Sequence, residues 1–169
     1  MKKILVFITL LLLILSGCTS ATHTENNEPK LQRSIEGVFS LEQTPGEFLD
    51  ALKKEGIELS ANPHTPDGRW IERSGYFQYE TDDLRVMFAS NEKPASFSIL
   101  SSRYSTDLGL RIGDSGEKML DLYGSDYFQR EGHPEQYGYV VGDLGMGFYV
   151  EDGLLAGWSI YVPSKQMDW

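Results

Sequence analysis

Between Thr44 and Val162 the chain states one pattern twice, and a doubled pattern narrows the folds open to it. The first unit opens Thr44-Pro45-Gly46-Glu47 and the second Asp114-Ser115-Gly116-Glu117. Each reads as a capping box, in which an N-cap side-chain oxygen accepts from an orphan amide and the Glu at N3 bonds back. Pro45 falls at N1, where a missing N–H costs nothing. Short amphipathic segments follow, Phe48-Leu49-Asp50-Ala51-Leu52 and Met119-Leu120-Asp121-Leu122-Tyr123, with Gly56 and Gly124 as stops. Helices are predicted near 45–55 and 115–123.

Three strands are predicted after each helix, beyond a polar, proline-containing loop. In the first unit they are Gly75–Glu80, Leu84–Ala89 and Ala95–Leu100; in the second, Gln136–Val141, Leu144–Val150 and Leu155–Val162. Leu84, Val86 and Phe88 alternate onto one face, as do Leu144, Met146, Phe148 and Val150. Tyr79 aligns with Tyr139, and Phe97-Ser98-Ile99 with Trp158-Ser159-Ile160. Any chain that mixes helices and strands shows some echoes, but helix, strand order and apolar positions recur together in register. The expected fold class is α+β: two tandem αβββ units, about 44–100 and 108–163, with helices packed on one face of an antiparallel sheet. Phe88, Phe97, Phe148 and Trp158 are the expected core aromatics.

The folded part is read as one domain over 39–169, roughly 130 residues, long enough to bury about two-thirds of its unfolded surface. Residues 18–38 are polar and contain no Phe, Trp or Tyr, and are read as a flexible tether. Before it, Lys2 and Lys3 precede an apolar run from Ile4 to Leu15. As a helix that run reaches only about 18 Å, short of the ~30 Å hydrocarbon core of a bilayer. Residues 1–17 are therefore read as a signal peptide. The run Leu15-Ser16-Gly17-Cys18 resembles the bacterial lipobox, and that resemblance implies lipid modification of Cys18, the only cysteine in the chain. An ordinary signal peptide with an incidental cysteine is the competing reading. The lipobox reading implies an acylated, palmitate-bearing lipoprotein on the outer side of the cell membrane.

Without Lys2 and Lys3 the chain keeps 13 basic and 25 acidic side chains, a net charge of −12. Such a chain is repelled by nucleic-acid phosphates and by anionic headgroups, so no nucleic-acid role is expected. Membrane attachment then falls to acyl chains, more than one being needed for a stable anchor.

Gly109-Leu110-Arg111-Ile112-Gly113-Asp114-Ser115, a short helix ending Tyr123-Gly124, and a tyrosine-rich strand resemble the β-lactamase-inhibitor-like lipoproteins. The stretch is also similar to the small lipoprotein of the outer-membrane barrel-assembly machinery. The resemblance covers about Leu108 to Tyr161. It implies helices on one sheet face and a partner protein at the other face or its loops.

Catalytic constellations are weak. His64 and His133 sit in corresponding loops, but zinc needs about four ligand atoms near 2.0–2.2 Å, and no third ligand has suitable spacing. Asp82-Asp83 and Glu151-Asp152 read as solvated turns rather than as a general acid and base facing across a cleft. Ser115 lacks a Gly-x-Ser-x-Gly elbow and reads as a helix N-terminal residue. No cofactor and no metal site are expected, and no enzymatic activity.

The remaining feature is the sheet face opposite the predicted helices. Period-2 alternation puts Gly145, Gly147, Tyr149, Gly157, Ser159 and Tyr161 there together, a flat floor with aromatic posts. Tyrosine brings apolar area and one hydroxyl, and glycine within a strand often marks close approach of another backbone or ligand. The structural reading is that the glycines permit curvature while the tyrosines cover neighbours. The expected function is a lipid-anchored extracytoplasmic protein of the bacterial envelope that binds a protein partner through this face. A small envelope hydrolase and a structural surface lipoprotein are the alternatives.

Overall fold

The computed structural model describes residues 28–57, 69–73, 76–89 and 93–163. Cys18, the signal segment and His64 lie outside the described residues. Among the described residues no helix is long and apolar enough to cross a membrane.

The described chain enters the fold earlier than the expected tether boundary at residue 38. Strand β1 (Ser34–Ile35) pairs antiparallel with β2 (Phe39–Ser40), and Ile35, Phe39 and Leu41 are buried. Glu36 and Gly37, with φ of 48° and 70°, are the central residues of the turn in the three-residue loop, and Val38 N–H closes it onto Ile35 O at 2.9 Å. Positive φ at both central residues matches the right-handed twist of the flanking strands.

Helix α1 (Pro45–Lys54) starts as expected. Thr44 Oγ1 accepts from Glu47 N at 3.3 Å, and Glu47 Oε2 accepts from Thr44 N at 2.7 Å. Helix α2 (Gly116–Tyr123) starts one residue later than the capping box predicts. Its N-cap is Ser115, which accepts from Lys118 N at 3.2 Å. Asp114 instead accepts from Arg111 N and pairs with Lys118 Nζ, both at 2.8 Å, so Glu117 has no box to close.

The expected fold class is overturned: the described residues are mostly β. Strands β3 (Arg69–Arg73), β4 (Tyr76–Glu80), β5 (Leu84–Ala89), β6 (Pro94–Ile99), β7 (Phe128–Arg130), β8 (His133–Val141), β9 (Leu144–Glu151) and β10 (Leu154–Tyr161) form one antiparallel sheet. Its order is β3-β4-β5-β6-β10-β9-β8-β7. The two described helices, ten and eight residues long, are too short to form the layer that an α+β class requires. They supply Phe48, Ala51, Leu52, Met119 and Tyr123 to the core. The β1–β2 hairpin and the loop bearing Tyr104 and Leu110 supply much of the rest.

The αβββ units are corrected as well. Among the described residues each half carries four strands in a meander, and the fourth strands, β6 and β10, pair at the centre of the sheet. Phe97 stands opposite Ile160, and Ile99 opposite Trp158. Val86 faces Phe97 in one half and Met146 faces Ile160 in the other. Those rungs make Phe97 equivalent to Ile160, two residues away from its sequence match with Trp158. A slip of two preserves the face, which is why the core assignment survives it. Phe88, Phe97, Phe148 and Trp158 are all buried. In each half one ring from a helix closes an aromatic cluster. Phe48 lies 5.8 Å from Tyr79 and 5.5 Å from Phe88; Tyr123 lies 5.8 Å from Tyr139 and 4.7 Å from Phe148.

Candidate functional site

With those residues inward, the alternate set forms the outer face. One rung crosses the sheet as Glu80, Arg85, Ser98, Ser159, Gly147, Gly138 and Phe128. The adjacent rung runs Gln78, Met87, Ser96, Tyr161, Gly145 and Val140. On the other side Gly157, Tyr149 and Gln136 share a rung, next to the bulge between Leu155 and Gly157.

The structure separates the two tyrosines expected to act together. Tyr161 is only 5% exposed, and its ring lies flat on Gly145: a Cβ there would stand 2.2 Å from a ring carbon. Burial pushes the Tyr161 phenol above its ordinary pKa. Tyr161 is therefore a packing residue that covers a strand glycine, and it leaves the docking set. Gly145 is buried beneath it, and Gly147 abuts Ser159, whose Oγ would lie 2.9 Å from an added Cβ. Tyr149 stays 38% exposed.

Two further groups belong with Tyr149. Val140 on β8 is 46% exposed, and Phe128 on β7 is 53% exposed with its ring 2.2–2.6 Å from where a Gly138 Cβ would stand. Neighbouring strands lie ~4.8 Å apart and same-face residues ~7 Å apart along a strand. By that spacing Phe128, Val140 and Tyr149 border one patch over the Gly138–Gly147 floor. Sequence reasoning missed Phe128 because β7 is three residues long, with no alternation to read. Gly138 and Val140 share the parity of Gln136, and that alternation could have found them.

The polar constellations are taken up by structure. Asp83 accepts from Ser101 Oγ at 2.6 Å and from Arg103 at 3.1 Å; Arg103 also pairs with Glu55 at 3.2 Å and lies over the Tyr104 ring at 5.3 Å. Glu151 ends β9 and Asp152 lies in the β9–β10 turn, where Asp152 and Gly153 have φ of 51° and 80°. Ser115 caps α2. His133 Nδ1 lies 3.1 Å from Glu135. Its strand, β8, is five strands from β4, about 24 Å at sheet spacing. Among the described residues no group of three His, Cys, Asp or Glu side chains could hold a metal ion. Burial pushes the phenols of Tyr123 and Tyr139 up to about 12, and Tyr139 donates to Gly124 O at 2.7 Å.

No protein-family model matches the chain, and no curated protein sequence matches it. Solved structures similar to it include an extracellular protein containing an SCP domain from Bacillus anthracis str. Ames. That protein is 13% identical with a TM-score of 0.50, the match covering 72% of this chain and 46% of that one. Another is a cysteine-rich secretory protein from Staphylococcus aureus subsp. aureus Mu50, 12% identical with a TM-score of 0.47, covering 81% of this chain and 48% of that one. This chain matches less than half the length of either neighbour, and the first likeness is one of fold alone.

Proposed function

We propose that this chain is a lipid-anchored, extracytoplasmic binding protein of the bacterial envelope that engages a protein partner through the outer face of β7–β9. The observation that carries the reading is the exposure of Phe128, Val140 and Tyr149 around a floor of glycine. Rigid aromatic posts and side-chain-free glycine lose little conformational freedom on docking. Exposed apolar groups gathered on one face mark interaction surfaces more often than the same groups scattered singly. The anchor rests on Leu15-Ser16-Gly17-Cys18 behind a short apolar run, with the lipobox likeness implying acylated Cys18.

A photo-crosslinking residue at position 149, introduced in intact cells, tests the face. A discrete crosslinked species is expected, absent when the same residue replaces Glu117 on α2 and lost on Val140→Asp. Equal crosslinking from 149 and 117 would refute the assignment. Cys18→Ala is expected to release the protein from membranes or leave it as an unprocessed precursor.

A further inference from the structure

The geometry points to a cationic partner: a protein segment with apolar side chains at its centre and lysine or arginine on its flanks. This deepens the binding reading above and rests on it. Several carboxylates of the described chain sit beside cations: Glu80 with Arg85, Asp83 and Glu55 with Arg103, Asp114 with Lys118. Residues 119–163 carry seven carboxylates against one guanidinium, Arg130, which is itself engaged; Asp143 pairs with Arg33 and Glu135 lies beside His133, while Asp121, Asp126, Glu131, Glu151 and Asp152 have no ion pair with a described residue.

Four of these five border the apolar patch. Glu151 lies two residues beyond Tyr149 on the same strand face, and Asp152 follows in the turn. Asp126 lies two residues before Phe128, and Glu131 begins the β7–β8 turn. All four are exposed, and none forms an ion pair with a described residue. An uncharged centre with an acidic rim selects among occupants by sign. A second copy would set acidic rim against acidic rim, and anionic lipid or nucleic acid would be repelled. A cationic rim opposite this one gains attraction, and because the rim is solvated the gain is screened within ~10 Å at ~0.1 M salt.

The test uses full-length protein in neutral detergent micelles and three fluorescent peptides read by anisotropy. All share the centre Ile-Tyr-Val-Tyr-Ile and differ in flanking pairs of Lys, Gln or Glu. The lysine peptide is expected to bind about tenfold more tightly than the glutamine peptide, and the glutamate peptide more weakly than either. The preference should vanish as NaCl rises from ~50 to ~500 mM. Glu151→Gln with Asp152→Asn should shrink it several-fold while leaving glutamine-peptide affinity unchanged. If Tyr149→Ala weakens all three peptides but they bind equally, the cationic inference falls and the face stands. Failure of every peptide to bind, or binding indifferent to Tyr149→Ala, overturns the face and the inference with it. Self-association in sedimentation velocity that Tyr149→Ala abolishes would make a second copy the occupant and overturn the cationic partner.

Discussion

The two halves of the sheet share strand order and inward rings yet treat their outer faces in opposite ways. In the first half Gln78, Glu80, Arg85 and Met87 occupy the outer positions of β4 and β5. Gln78 donates to Glu80 at 2.7 Å and Arg85 pairs with Glu80 at 2.9 Å, so the long side chains satisfy one another across the strands. In the second half the equivalent positions hold Gly138, Val140, Gly145 and Gly147. There the strands lack side chains of their own at three positions, and Tyr161 and Phe128 reach sideways to cover Gly145 and Gly138. A repeated backbone can thus carry a self-satisfied polar surface on one side and an open apolar one on the other. The inner face constrains both halves; the outer face is free to diverge.

Loss of a core ring tests whether the halves are one unit. Phe97→Ala and Phe148→Ala should each cost about 3–5 kcal/mol in denaturant unfolding, because neither site can readily collapse. Since β6 and β10 pair at the sheet centre, both should lower a single shared transition. Two separate transitions, each moved by one substitution alone, would show that the halves unfold independently.

Next come the covered glycines. Tyr161→Ala should cost about 3 kcal/mol of stability and leave binding by the folded protein unchanged. Gly145→Ala should cost roughly 1–3 kcal/mol, since the buried Tyr161 ring has nowhere to move. Gly138→Ala should cost less than about 1 kcal/mol, because the exposed Phe128 can swing aside. Equal melting shifts for the two glycine variants would show that Phe128 is as firmly held as Tyr161.

The face itself is sharpened by Tyr149→Ala. Its effect on thermal stability should stay within about 0.5 kcal/mol, as for ordinary surface changes. Partner affinity should fall by more than about 1 kcal/mol. A large stability loss instead would return Tyr149 to a structural role like that of Tyr161.

The smallest effect concerns the N-terminal hairpin that ties the halves together. Arg33 pairs with Asp143 in the second half, and Glu42 pairs with Lys93 in the first. The Ser105 backbone N–H holds the Glu36 carboxyl below the usual carboxylate range, and hydrogen bonding to Lys93 does the same for Glu42. A carboxylate with a lowered folded-state pKa adds stability above about pH 4.5, lost as pH falls through the folded value. Melting temperature should therefore drop between about pH 5 and pH 3, and Glu42→Gln should flatten part of that slope. An unchanged slope would mean that the hairpin ion pairs are too solvated to matter.

What could be read from the chain alone was local. Alternation located β5 and β9 to within a residue, because half-buried antiparallel strands must place apolar groups every second position. Thr44 and Glu47 announced α1 because an orphan amide needs a nearby acceptor. β3 and β7 were not legible, since β7 has three exposed residues and its strand state depends on the neighbour it pairs with. The slip that matches Phe97 with Ile160 was likewise invisible, because turns and bulges set register.

For the candidate site the division is sharper. Which residues share the outer face was legible in the chain, since side chains alternate strictly along a strand. Tertiary structure alone decided that Tyr161 lies down on Gly145 while Tyr149 stands in solvent. It also decided that Phe128, contributed by an edge strand, joins the patch over Gly138. Parity is a property of one strand. Whether a ring packs or projects depends on the empty space beside it, and that space is created by glycines on the neighbouring strand.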